Sequence, residues 1–307
     1  MKQFSIPILF IVFNRPEQTR LVYETVKQIM PINLFVAADG PRNNIVGEKD
    51  NCAKVRQLFD KTDWDCDLRT LFRDKNLGCR NNVSSAITWF FENVEEGIIL
   101  EDDCLPDLSF FLYCAELINY YRHNERIMMI SGGNFQFGQN RTDYSYYFSR
   151  YTHVWGWATW RDRWKLYDVH LSQWSKIDQR KFLKSFIDNK NEIAYWQEIF
   201  NRVHANKIDT WDYQLLFTSW MNKRLSIIPN VNMISNIGFG CTATHTRNIS
   251  HFANIETSAM DFPLKHPPSI QRNFPADAYT SRTQYRRFIF KRIRSYFLHR
   301  MRRLFTV

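Results

Sequence analysis

Short apolar runs alternate with amphipathic stretches over the first 130 residues or so of the chain. Apolar runs of this length are typical of buried strands. The stretch that opens at Pro16 places Val22, Val26 and Ile29 on one face, as a helix does. Strands separated by helices predict a parallel sheet with right-handed crossovers. The predicted strands cover residues 6–13, 34–38, 68–72, 97–100 and 128–131, and the later helices of this half cover 49–59, 81–92 and 107–122.

The second half of the chain has a different character. Residues 144–164 are aromatic and irregular, and they include the block His153-Val154-Trp155-Gly156-Trp157-Ala158-Thr159-Trp160. Neither a Pro/Gly/Ser-rich linker nor an internal repeat separates the halves, so we expect one unit over residues 1–265. Further helices are predicted over 179–189, 192–205 and 210–221, with a strand over 225–228.

Three consecutive acids follow the fourth predicted strand. This acidic triplet is Glu101, Asp102 and Asp103. Ligands of open α/β sheets bind at the carboxyl ends of the strands. Adjacent carboxylates repel one another, so a Mg²⁺ or Mn²⁺ ion that carries a diphosphate is the natural ligand. The alternative is a solvated turn that caps a helix starting near Ser109.

Polar residues also follow the other strands of the first half. Arg15, Asp39 and Arg73 come after the first, second and third strands, so the same sheet edge should carry them and the triplet. Arg15, Arg73 and Arg80 are candidate phosphate ligands, because a guanidinium group can bind phosphate in a bidentate manner. Alternatively, Arg73 and Arg80 form surface pairs with acids, and Arg15 is a solvated residue at a helix start.

Composition narrows the class of protein. Aromatic residues make up 16% of the chain, more than a core requires, so some should line a binding surface. The six cysteines lack C-x-x-C spacing, and the N-terminus lacks a signal-peptide pattern. We therefore expect a reduced cytoplasmic protein without zinc.

The net charge of +10 is concentrated at the C-terminus. From Arg282 onward there are nine Lys or Arg and no acid, which leaves about +1 for the residues before it. Apolar residues recur there at helical spacing, so the tail, residues 266–307, is predicted to end in a basic amphipathic helix on an anionic membrane surface. The alternative is a helix packed on the domain. Nucleic acid is not an expected partner, since the rest of the chain is nearly neutral.

The order of these motifs resembles that of GT-A glycosyltransferases. The resemblance rests on Asn14-Arg15-Pro16, Asp39-Gly40, Arg73-Asp74-Lys75-Asn76-Leu77-Gly78 and the triplet, and it covers roughly residues 5–250. It is closest to bacterial relatives of the eukaryotic N-acetylglucosaminyltransferase that initiates complex N-glycans. It implies a Rossmann-like, mostly parallel sheet flanked by helices. Residues 1–135 would form the nucleotide-sugar half and residues 136–265 the acceptor half.

The resemblance also implies roles for individual residues. Asp103 would bind the metal, while Glu101 and Asp102 orient the donor. Asp39 would read the uracil base, unless it only forms an Asx-turn before Gly40. Asp212 would be the general base, although an acid in the first turn of a helix capped by Thr210 is also favourable by itself.

Two further residues complete the candidate site. Trp157 is expected to be exposed and to stack on a sugar ring, unless the tryptophan block belongs to the core. His245, in the Gly-rich segment 238–245, would bind the metal or diphosphate as a C-terminal histidine does in many GT-A enzymes; a structural role is the alternative.

The expected activity is inverting, metal-dependent transfer of a sugar from a nucleotide diphosphate donor, a UDP-sugar, to a hydroxyl of a cell-surface or lipid-linked glycan. The enzyme would act on the inner face of the cell membrane. One alternative is a sugar-nucleotide pyrophosphorylase, which predicts a Gly-rich, Lys-containing loop after the first strand; Phe13-Asn14-Arg15-Pro16 is no such loop. The other is a non-catalytic carbohydrate-binding protein with the tryptophan block as its surface.

Overall fold

The computed structural model describes residues 3–239 and 251–285. Eight strands form the central sheet and helices cover both of its faces, so the predicted α/β class is confirmed. The strands are β1 Ile8–Val12, β2 Asn33–Ala38, β3 Asp67–Phe72, β4 Glu96–Glu101, β5 Cys104–Pro106, β6 Ile127–Ser131, β7 Tyr146–Ser149, β8 Trp157–Trp160, β9 Leu225–Pro229 and β10 Ile234–Asn236. The helices are α1 Pro16–Gln28, α2 Glu48–Gln57, α3 Gly78–Asn93, α4 Ser109–Tyr121, α5 Arg161–Trp164, α6 Gln179–Lys184, α7 Lys190–His204, α8 Asp212–Met221 and α9 Phe274–Thr280.

The order of strands creates a topological switch point. The sheet order is β3-β2-β1-β4-β8-β6-β9-β7, and the first four strands in this order are parallel. From β1 the chain moves outward to β2 and β3, and it then returns to β4 on the other side of β1. The crevice between the carboxyl ends of β1 and β4 is where such sheets bind ligands. The acidic triplet begins at the end of β4.

Strand β1 shows why the sheet is covered on both faces. All five of its residues are buried, and they alternate between two apolar cores. Ile8, Phe10 and Val12 pack with residues of α1 and α4, whereas Leu9 and Ile11 pack with residues of α3 and α8. A strand buried on both faces is therefore apolar throughout.

The aromatic stretch 144–164 contains regular structure that was not predicted. Strand β8 lies between β4 and β6, antiparallel to both, and β7 forms the sheet edge beside β9. All the residues of these two strands are buried. Burial of both faces removes the apolar–polar alternation by which a strand is recognised in sequence.

The first part of the predicted tail packs against this domain. Asp277 in α9 is 1% exposed and accepts hydrogen bonds from Ser149 and Arg272. His266 stacks on Tyr120, with ring centroids 4.2 Å apart. The basic amphipathic segment from residue 286 onward lies outside the described residues. Within the described ranges, no helix is both long and apolar enough to cross a membrane.

Candidate functional site

A cleft of about 370 Å³ opens at the switch point. The carboxyl ends of β1, β2 and β4 and the start of α3 enclose it. Arg15, Asp39 and the acidic triplet lie at one edge of the sheet, as predicted. The residues that line the cleft are Ile11, Val12, Phe13, Arg15, Asp39, Arg42, Asn76, Gly78, Cys79, Asn82, Val83, Glu101, Asp102, Asp103 and Asp209.

The acidic triplet contacts the segment that follows β1. Asp102 Oδ2 accepts a hydrogen bond of 3.0 Å from the backbone N–H of Phe13. Arg15 Nη1 donates to Asp103 Oδ2 at 2.5 Å and lies 3.6 Å from Asp102 Oδ1. Helix α4 begins without help from the triplet, because Asp107 Oδ1 accepts from the backbone N–H of Ser109 at 2.9 Å. The geometry thus contradicts the helix-cap alternative, and the ligand-site interpretation of the triplet stays a prediction.

The cleft is strongly acidic. Its lining contains five carboxylates and two guanidinium groups. Burial and the charges of Asp103, Asp102 and Asp212 raise the pKa of Glu101 to about 8. Burial, partly offset by Arg15, raises the pKa of Asp102 to about 7. A diphosphate would be repelled from such a cleft unless a cation entered with it.

The carboxylates suit a metal that a nucleotide brings with it. The described part of the chain contains no group of three or more His, Cys, Asp or Glu side chains arranged to hold a metal ion. A Mg²⁺ or Mn²⁺ ion on a nucleotide, however, needs only one or two carboxylates, because phosphate and water complete its coordination. Asp103, the acid predicted to bind the metal, lines the cleft and would hold such an ion, and this role stays a prediction. His245 lies outside the described residues, and its metal role stays a prediction.

Asp39 anchors the loop that precedes α3. Its carboxylate is 5% exposed. Oδ1 accepts from the backbone N–H groups of Gly40 and Leu77, both at 2.9 Å. Oδ2 accepts from Asn76 Nδ2 at 3.0 Å and from the Gly78 N–H at 3.2 Å. Burial raises the pKa of Asp39, and these backbone donors offset part of that effect. Its proposed contact with a base would compete with these four donors.

A second acid, Asp209, binds the backbone at the start of α3, just after the loop that Asp39 anchors. Asp209 was not predicted as a site residue. Its Oδ2 and Oδ1 accept from the N–H groups of Cys79 and Arg80, each at 3.0 Å. Asp209 thereby caps the start of α3 from 130 positions away. The local pattern contains no sign of this contact. Gly78 has φ +78°, and a Cβ built on it would lie only 2.8 Å from Asp209 Oδ2.

Arg73 and Arg80 lie beside the cleft and are not among its lining residues. Arg73 Nη2 donates to Ser85 Oγ at 3.2 Å. The Arg80 guanidinium donates to Asn206 Oδ1. Contact of either with a phosphate stays a prediction, and it would require these side chains to reorient.

Arg42 lines the cleft and was not predicted as a site residue. It pairs with Glu48, which is 2% exposed and also accepts from Asn14 Nδ2 at 2.8 Å. Burial alone would raise the pKa of Glu48, but Arg42 and Asn14 hold it below its usual value. The guanidinium carbon of Arg42 lies 5.6 Å from the ring centroid of Phe13. Arg42 thus lines the cleft as one half of an ion pair with Glu48.

Asp212 reaches the same neighbourhood from the second half of the chain. It is the first residue of α8, and its charge contributes to the raised pKa values of Glu101 and Cys79, both of which line the cleft. Thr210 was predicted to cap this helix. Instead, its hydroxyl donates to the Asp212 carboxylate, and Trp211 occupies the cap position.

The prediction that Trp157 is exposed is wrong. Trp157 begins β8 inside the central sheet and is 1% exposed. Its indole stacks on Trp211, with centroids 5.7 Å apart and an interplanar angle of 23°. Trp157 therefore supports the residue that immediately precedes Asp212. Of the tryptophan block, Trp155 is the partly exposed member, whereas Trp160 is buried.

No protein-family model matches the chain, and no curated protein matches it. Solved structures with some similarity include a cytidylyltransferase from Leptospira borgpetersenii serovar Hardjo-bovis, at 12% identity over 67% of this chain and 73% of that one, with a TM-score of 0.33. HddC from Yersinia pseudotuberculosis is similar at 8% identity over 51% and 77%, with a TM-score of 0.31. The 4-diphosphocytidyl-2C-methyl-D-erythritol synthase from Anaerococcus prevotii is similar at 12% identity over 71% and 99%, with a TM-score of 0.31. A likeness at this level does not assign a function to this chain.

Proposed function

We propose that the protein is a metal-dependent enzyme that uses a nucleotide sugar and transfers the sugar to a hydroxyl acceptor. The observation that carries the proposal is the acidic cleft between the ends of β1 and β4, with Asp212 beside it. A cleft at a switch point suits a nucleotide, and its excess of carboxylates suits the cation of a diphosphate. A UDP-sugar is the donor that the resemblance to GT-A enzymes favours.

In this proposal Asp212 takes the proton from the acceptor hydroxyl as the oxygen attacks the anomeric carbon. The bond between that carbon and the diphosphate oxygen breaks, and the configuration inverts. A divalent cation bound by Asp103 would stabilise the negative charge that develops on the leaving diphosphate. Glu101 and Asp102 lie next to that acid, where they would orient the donor. The acceptor would be a cell-surface or lipid-linked glycan, reached when the basic segment from residue 286 onward binds the cytoplasmic face of the membrane.

Nucleotidyl transfer to a sugar phosphate, the reaction of a sugar-nucleotide pyrophosphorylase, is the second candidate. The acidic cleft favours it equally, since a nucleoside triphosphate carried on Mg²⁺ would need the same carboxylates. The segment after β1 departs from a phosphate-binding loop, because Phe13-Asn14-Arg15-Pro16 contains neither Gly nor Lys.

A thermal-shift screen tests the shared part of both candidates. We expect UDP, or another nucleoside diphosphate or triphosphate, to raise the melting temperature only with Mn²⁺ or Mg²⁺ present, since a ligand of the folded state stabilises it. Product analysis then separates the two reactions: sugar transfer releases a nucleoside diphosphate, whereas nucleotidyl transfer consumes a triphosphate and releases pyrophosphate. If glycans raise the melting temperature and no nucleotide does, the carbohydrate-binding alternative is correct.

Replacing Asp212 by asparagine tests its role as base. Loss of a general base costs about 10²-fold to 10⁴-fold in rate, so we expect the kcat of Asp212→Asn to fall by at least about 10²-fold with nucleotide affinity unchanged. Asp178→Asn is the matched control, because Asp178 accepts from the Lys181 N–H at 3.0 Å at the start of α6 and acts only as a helix cap. If Asp212→Asn weakens nucleotide binding or keeps full activity, Asp212 is not the base.

A further inference from the structure

Arg15 occupies the place that a cation would take in the acidic triplet. Its Nη1 lies 2.5 Å from Asp103 Oδ2 and 3.6 Å from Asp102 Oδ1. The three side chains are between 10% and 19% exposed, so water screens their charges only weakly. The guanidinium group is the counter-ion of two adjacent carboxylates.

Both oxygens of Asp103 already have partners. Oδ2 accepts from Arg15, and Oδ1 accepts from Asn236 Nδ2 at 3.3 Å. Gly238 covers this pair so closely that a Cβ built on it lies 2.1 Å from Asp103 Oδ2 and 2.6 Å from Arg15 Nη1. A divalent cation could therefore bind Asp103 Oδ2 only after the guanidinium group had moved away from it.

A diphosphate provides a destination for the guanidinium group. Arg15 itself lines the cleft, and a guanidinium fork binds phosphate oxygens well. A cation that arrives alone would be repelled by Arg15, whereas a cation that arrives on a diphosphate brings the anion with which Arg15 can pair. From this geometry, and on the basis of the proposed function, we propose that Arg15 makes metal binding depend on nucleotide binding, by exchanging Asp103 for a phosphate when the metal–nucleotide complex enters.

The proposal concerns a coupling between two ligands, so binding measurements test it without any activity assay. Mn²⁺ affinity of the full chain is measured by electron paramagnetic resonance of free Mn²⁺, with and without UDP or the nucleotide found in the thermal-shift screen. We expect the nucleotide to tighten Mn²⁺ binding to the wild type by about tenfold or more, within the usual range of coupling between sites.

Arg15→Gln removes the competing charge and keeps a polar side chain. We expect Mn²⁺ alone to bind this variant about tenfold more tightly than it binds the wild type, and the nucleotide alone to bind it more weakly. The ratio of Mn²⁺ affinities with and without nucleotide should fall towards one. Arg15→Lys keeps the positive charge, so Mn²⁺ alone should still bind weakly. Arg42→Gln is the matched control: it removes a guanidinium group from the same cleft, one that pairs with Glu48 and not with the triplet, and Mn²⁺ affinity without nucleotide should not change.

Unchanged or weaker Mn²⁺ binding by Arg15→Gln in the absence of nucleotide would overturn the proposal. Should that variant fail to fold, the wild type still decides, because Mn²⁺ affinity that does not change with the nucleotide contradicts the exchange. Failure of the proposed function gives a different result, in which no nucleotide binds with or without metal.

Discussion

Asparagine at position 39 distinguishes the two roles open to Asp39, which are to anchor the loop before α3 and to read the base of a nucleotide. The substitution preserves the size of the side chain and replaces one acceptor oxygen by an NH₂ group. In the wild type, Oδ1 accepts hydrogen bonds from Gly40 and Leu77, and Oδ2 accepts from Asn76 and Gly78. In either orientation of the amide, about two N–H donors lose their acceptor and face another donor.

The expected loss of stability follows from the number of donors left without an acceptor. A buried donor left without an acceptor costs about 1–3 kcal/mol, so two of them would lower the free energy of unfolding by about 2–6 kcal/mol. Burial raises the pKa of Asp39, which means that the ionised carboxylate is itself destabilised and that its removal offsets part of the loss. We therefore expect a net loss of about 2–4 kcal/mol, which for a chain of this length corresponds to a fall in Tm of roughly 3–6 °C.

Urea unfolding of Asp39→Asn and the wild type measures this difference, and nucleotide titrations with UDP and CDP measure base selectivity. Asp178→Asn again serves as control: Asp178 caps the short helix α6 at an exposed position, so we expect a loss of about 1 kcal/mol or less. Asp39 is not the anchor of this loop if Asp39→Asn is as stable as the wild type and has lost only its preference between UDP and CDP.

Two other substitutions test the core. His153 is 3% exposed and burial lowers its pKa to about 3, so the unfolded state gains a proton first as the pH falls below about 6.5 and stability is lost from there downward. At pH 5 this loss is about 2 kcal/mol. Urea unfolding at pH 7.5 and pH 5 measures it, and the stability of His153→Phe should fall by about 2 kcal/mol less than that of the wild type between these two pH values. An equal fall in both proteins would show that protonation of His153 is not the cause. Glu192, at 4% exposure, accepts from Arg150 Nη2 at 2.6 Å. Glu192→Gln removes the carboxylate that pairs with this buried guanidinium group and leaves it only the charge of Asp277, so it should cost about 3–5 kcal/mol in urea unfolding, whereas a loss below 1 kcal/mol would mean that water reaches Arg150.

The parallel half of the sheet could be predicted because its signals are local. A run such as residues 97–100 is apolar over its whole length, and three acids end it abruptly. The rule that parallel strands present their carboxyl ends at one edge then places Arg15, Asp39 and the triplet together without any knowledge of their contacts. Their placement in one cleft bears this out.

The contacts within that cleft could not be predicted, because they join distant parts of the chain. Arg15 and Asp103 are 88 positions apart, and Asp209 and Cys79 are 130 apart. Which acid accepts from which donor depends on the path of loops that have no periodic pattern. Asp209 itself gives no local sign, since an isolated acid in a polar segment is usually solvated.

The prediction that Trp157 is exposed was wrong for a different reason. Indole rings are common both in cores and on sugar-binding surfaces, so residue type does not decide between them. The deciding fact is that β8 lies between β4 and β6, with both faces of the strand covered, and neither pairing partner is adjacent to β8 in sequence. The ring that was expected to touch a ligand instead packs on Trp211, next to the candidate base.

The segment 77–80 connects these observations. Its four consecutive backbone N–H groups all donate to carboxylates, the first two to Asp39 at the end of β2 and the last two to Asp209 just before α8. The first acid lines the cleft, and the second lies three positions before Asp212. The segment 77–80 therefore joins the end of β2 to the loop just before Asp212, the proposed base. A transfer reaction needs such rigidity, because a displacement of about 1 Å between base and donor can cost about 10²-fold in rate.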